Sequence, residues 1–152
     1  MSLTYSFKTS KDLLSKLKRE CESLKQEVTG DRFFNFIVTA YHIIDWIKKD
    51  PTVPKNAKLK VNQFYKNTYI AICRDICNAS KHFSLSNNYE NKITDSTTSR
   101  KGFGYGRMGA GLLGDGEESI IIVCSDGTSH DALDLAQHIL DVWEVFFREE
   151  NI

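Results

Sequence analysis

The chain has 152 residues, 20 Lys+Arg against 20 Asp+Glu, 41% hydrophobic and 11% aromatic residues. This is the composition of one ordinary globular domain, able to bury a core without metal or disulfides, and it excludes intrinsic disorder. The zero net charge is unevenly spread: residues 1–92 hold 16 basic and 9 acidic side chains, residues 93–152 hold 4 and 11, so the halves carry +7 and −7.

Thr9-Ser10 ahead of Asp12 opens a first amphipathic helix, with Leu13, Leu17, Cys21, Leu24 and Val28 on one stripe and an end near Gly30. Asp31 is placed to cap a second helix, Arg32 to Lys49. The Asp50-Pro51 pair stops it, because the residue before proline avoids helical geometry. Pro51 to Lys60 reads as a linker loop. A third helix is expected from Val61 to Phe83, with Tyr65, Tyr69, Ile72, Ile76 and Phe83 at helical spacing, broken by Ser84 to Asn91.

From Lys92 the pattern turns to β. Thr and Ser alternate, seven of the nine glycines fall in Gly102 to Gly116, and Ser119 to Cys124 reads as a buried strand. A β-hairpin with a loose glycine-rich tip is expected over 93–125. After an Asp126-Gly127 turn, a Thr128 or Ser129 cap starts the last helix, Asp131 to Arg148. Its stripe is Ala132, Leu135, Ala136, Ile139, Leu140, Trp143, Phe146 and Phe147. The expected fold is mainly α: a single domain, 1–152, built as a four-helix bundle with a β-hairpin inserted before the last helix.

The second helix is the most informative. Eleven of the 15 residues from Phe33 to Ile47 are apolar, and the exceptions, Asn35, Thr39, His42 and Asp45, form one polar edge. On the third helix Arg74, Asn78, Lys81 and His82 share a face beside Asp75. Antiparallel neighbours can bring these edges together as a supporting network of His42, Asp45, Asn78 and Lys81, or each edge can simply face water. Imidazole moves protons near neutral pH, and guanidinium or ammonium stabilises charge on phosphate oxygens. The chemistry this suits is metal-independent RNA cleavage, with His82 as general acid or base and Arg74 or Lys81 on the phosphate. No G-x-S-x-G elbow occurs.

The stretches Phe34-Asn35-Phe36, Val38-Thr39-Ala40-Tyr41-His42, Asp45-Trp46 and Arg74 to Phe83 resemble a group of small bacterial proteins without an assigned function. At a distance they resemble the HEPN superfamily. That resemblance implies a helical bundle, a homodimer, and a metal-independent endoribonuclease site carried here by Arg74, Asp75 and His82, in a defence or toxin setting. Seven residues intervene between Arg74 and His82, more than in the superfamily's usual motif. Many HEPN-like domains are non-catalytic modules, so a protein-interaction role stands beside the RNA reading.

Lys48, Lys49, Lys55, Lys58, Lys60 and Lys66, with Asp50 the sole acid among them, form a candidate nucleic-acid rim. Cys21, Cys73, Cys77 and Cys124 show no C-x-x-C pair and read as reduced thiols. Cys73 and Cys77 serve as small hydrophobes, and no metal or other cofactor is expected. Two overlapping G-x-G-x-x-G matches, Gly104-Gly106-Gly109 and Gly109-Gly111-Gly114, lack the flanking strand and helix of a dinucleotide site. Phe103 and Tyr105 between Arg100 and Arg107 mix cations and aromatics as some single-strand binders do. His130 is assigned to the start of the last helix and His138 to its exposed side, while Trp46 and Trp143 are core or interface anchors. The longest apolar run, Ile120 to Cys124, cannot span a bilayer, and Met1 to Ser10 has no secretory core, so a cytoplasmic location without membrane contact is the expectation.

Overall fold

Helix α1, Ser10–Gln26, begins where Thr9 and Asp12 close a capping box: the Thr9 amide donates to Asp12 Oδ2 at 2.8 Å. The computed structural model describes residues 6–82, 93–101 and 117–152. Of the expected α1 stripe, Leu13, Leu17, Cys21 and Leu24 are buried as the spacing requires, while Val28 falls beyond the helix and is half-buried. The helix stops at Gln26 rather than near Gly30, because Glu27 turns extended. Gly30 instead starts α2, Gly30–Lys49. Thr29, not Asp31, is its cap, with Oγ1 accepting from the Arg32 amide at 3.2 Å.

The segment read as a linker holds a short helix α3, Lys55–Lys60, continued by a 3-10 turn, Val61–Lys66. The expected single helix from Val61 is therefore interrupted. Asn67 is extended, and its Oδ1 accepts from the Tyr69 amide at 2.9 Å, so that α4 starts afresh at Thr68 and runs to His82. The sequence pattern could not show this, since Tyr65 and Tyr69 keep helical spacing across the break.

Strands β1, Ile93–Lys101, and β2, Glu117–Cys124, pair antiparallel, with Thr97 opposite Ile121. A third strand, β3, Ser129–Asp131, pairs with β2 on its other side, and His130 lies in it opposite Ile122 rather than in the helix. Along β2 Ile120, Ile122 and Cys124 are buried while Ile121 and Val123 are half-buried, the period of two of a strand with one face on a core. Gly127 takes φ 84 in the intervening turn, where Asp126 Oδ1 accepts from the Thr128 amide. Asp131, not Thr128 or Ser129, caps the last helix α5, Ala132–Glu149, accepting from the Leu133 amide at 2.8 Å.

Among the described residues the fold is thus mainly helical, four long helices with a short fifth and a β-hairpin before the last. The four long helices enclose one core, centred on Leu17, Phe36, Ile43, Ile72, Leu135 and Trp143. Trp46 is half-buried against it. No helix among the described residues is long and apolar enough to cross a membrane. The glycine-rich tip with both G-x-G-x-x-G matches, Phe83 at the expected end of the third helix, and the Ser84–Asn91 break lie outside the described residues.

Candidate functional site

The polar edge expected along α2 is divided by packing. Thr39 is buried under α1, where its Oγ1 accepts from Lys16 Nζ at 2.6 Å, and Lys16 also pairs with Glu20. His42 and Asp45 are exposed, and among the described residues neither forms a side-chain hydrogen bond or ion pair. Tyr41 of α2 lies in electrostatic reach of Arg74 and Cys77 on α4. Burial pushes its phenol up to about 12, helped by Tyr65 and opposed by the nearby Arg74 guanidinium.

On α4, Arg74 turns to its own neighbour. Its Nε and Nη2 donate to Asp75 Oδ1 at 2.9 and 2.7 Å. The Asp75 side chain is fully buried and that of Arg74 only 17% exposed, so the guanidinium compensates a carboxylate inside the fold. Asn78 is half-buried and Lys81 exposed. His82 ends α4, and its side chain lies outside the described residues. Eight positions of α-helix put it about 12 Å of axial rise from Arg74.

The thiols behave as small hydrophobes. Burial raises Cys73 well above the usual thiol range and Cys77 to about 11, so neither is a thiolate near neutral pH. No cluster of three or more His, Cys, Asp or Glu suited to a metal occurs among the described residues.

The lysine run occupies the corner made by the end of α2, α3 and the 3-10 turn. Lys49, Lys55 and Lys66 are exposed and Lys58 is half-buried. Lys48 Nζ donates to the Tyr65 hydroxyl at 3.0 Å and sits 4.7 Å from its ring centroid. Lys60 pairs with Glu150 at 2.6 Å. The one acid in the run, Asp50, points inward. Its Oδ2 accepts from the Ser10 amide and hydroxyl at 2.7 and 2.8 Å, and its Oδ1 from the Thr52 amide and hydroxyl. The outer surface of residues 48–66 therefore carries lysines and no carboxylate of its own.

Comparison with protein-family models, with curated proteins and with solved structures returns no match.

One concavity escaped the sequence reading. A groove of about 410 Å³ runs between Phe64, Tyr69 and one side of α5. There the His138 ring stacks on Tyr69 at 5.3 Å and 16°, and His130, outside the groove lining, meets the same Tyr69 ring edge-on at 6.1 Å. His138 Nδ1 lies 2.7 Å from the Asp134 carbonyl oxygen; a carbonyl only accepts, so Nδ1 carries the proton and donates it. The available signal was the placement of Val142 and Val145 off the buried stripe of α5.

Proposed function

We propose that this chain is an RNA-binding helical domain that holds the phosphate backbone of a single strand across the lysine corner. The observation that carries the reading is the inward turn of Asp50. It leaves Lys49, Lys55, Lys58 and Lys66 with no ion-pair partner among the described residues and no outward carboxylate within residues 48–66. Ammonium groups at such a corner release condensed counterions when phosphates replace them, and the half-exposed Tyr65 ring offers a base a face to stack on.

The test is anisotropy of a labelled oligouridylate at low salt. Wild type is expected to bind with an affinity that falls steeply with added salt. Replacing Lys55, Lys58 and Lys66 together by Glu is expected to weaken binding by more than about a hundred-fold and to flatten the log–log salt slope by about two, at roughly 0.7 per lost single-strand contact. Binding that survives the triple substitution would reject the lysine corner as the interface.

The HEPN resemblance adds cleavage to this reading, with His82, Arg74 and Asp75 as catalytic groups. The Arg74 guanidinium is engaged by Asp75, and the helical rise separates it from His82, which favours binding without cutting. A structured RNA incubated in EDTA is therefore expected to stay intact with wild type and with His82→Ala alike. Cutting by wild type that is lost in a folded His82→Ala protein would establish the ribonuclease instead.

A further inference from the structure

The groove along α5 has a chemistry opposite to that of the lysine corner. Its floor is apolar: Phe64, Tyr69, Val142 and Val145 line it, and Val145 is 38% exposed. Asp141 and Glu149 stand at its border, and no Lys or Arg lines it. Asp141 accepts one hydrogen bond from Gln137 at 2.9 Å, and Glu149 has no ion-pair partner among the described residues. Val142 and Val145 lie off the stripe that α5 buries, so the core does not account for them.

We infer that this groove is a docking site for a basic, aliphatic peptide segment of a partner protein, with branched side chains on Val142 and Val145 and flanking cations on Asp141 and Glu149. The carboxylates are eight positions apart, about 12 Å along a helix axis. An extended peptide advances roughly 3.3 Å per residue, so about three or four residues separate two cations that meet them both. The groove is open to solvent, which admits a continuous chain. Apolar burial supplies affinity, and the paired carboxylates select against acidic or neutral segments.

The probe is a fluorescein-labelled peptide with two arginines flanking a short leucine run, titrated into the full chain. Saturable binding is expected, weakened at least about ten-fold by Val145→Lys, which fills the apolar floor with a cation at an exposed position. Glu149→Gln is expected to weaken binding less and to reduce its salt dependence. Oligouridylate binding by Val145→Lys is expected to match wild type, showing that the fold and the lysine corner are intact. Equal peptide binding by wild type and Val145→Lys would overturn the assignment. So would equal binding of a peptide with glutamates in place of the arginines. Concentration-dependent dimerisation of wild type in sedimentation, abolished by Val145→Lys, would also overturn it, giving the groove to a second copy of the chain.

Discussion

Trp143→Ala is expected to lower the unfolding free energy by about 3–5 kcal/mol, the range for removing a large aromatic from a packed interior. Trp143 is fully buried, stacked on Phe64 at 4.8 Å and met edge-on by Phe146 and Phe147 at 6.0 and 6.5 Å. The rings form one cluster that ties the 3-10 turn to α5, so the cavity cannot close by shifting one side chain. Trp143 Nε1 is buried with no hydrogen-bond partner among the described residues. Trp143→Phe should therefore be much milder, since the loss of ring volume is offset by removal of an orphaned donor, itself worth about 1–3 kcal/mol. Urea titrations followed by far-UV circular dichroism measure both. A Phe variant as unstable as the Ala variant would show that the indole nitrogen is satisfied after all.

Asp50→Ala comes next, with an expected loss of about 2–4 kcal/mol, combining a lost helix-terminal acceptor with orphaned donors. Ser10 is fully buried, and its amide and hydroxyl lose their shared acceptor, Asp50 Oδ2, at once. The same carboxylate gives stability a pH dependence. Burial alone would raise its pKa, but the hydrogen bonds from Ser10 and Thr52 outweigh that and hold it at about 2, below the ordinary 3.8. Because the folded value is the lower one, folding favours the ionised form. This contribution is complete above about pH 5 and is lost as pH falls from about 4 to 2, for a total of about 2 kcal/mol. Asp50→Asn keeps one oxygen acceptor and no titrating proton. The difference between wild-type and Asn unfolding free energies should shrink through that window, and a constant difference would contradict the assignment.

How much of this was legible beforehand depends on the range of the interaction involved. All eight residues assigned to the stripe of α5 are buried, and Leu13, Leu17, Cys21 and Leu24 of α1 behave likewise, because helical periodicity and a single core leave one solution. Boundaries set by one side chain were less accessible. The Asn67 cap divides a segment whose apolar spacing is continuous, and Asp131 displaces two equally good local candidates. Long-range effects were not legible at all. Lys16 covers Thr39 and so divides the polar edge of α2, and Asp50 reads locally as a helix stop while its partner Ser10 is forty positions away. The lysine run was plain in the composition, but the inward turn of its own one carboxylate depends on that distant contact.

The Asp50 contact has a further meaning for how the first two helices behave as a pair. The start of one helix and the end of the next are the places where chains ordinarily fray, each on its own schedule. Here a single carboxylate joins them, so the first turn of α1 and the last turn of α2 loosen together or not at all. The two helices form a closed circuit, and the loop leaving it at Pro51 departs from a fixed point. The lysines that follow are thereby presented on a stationary mount, whose position is set by an acid-sensitive contact between α1 and α2.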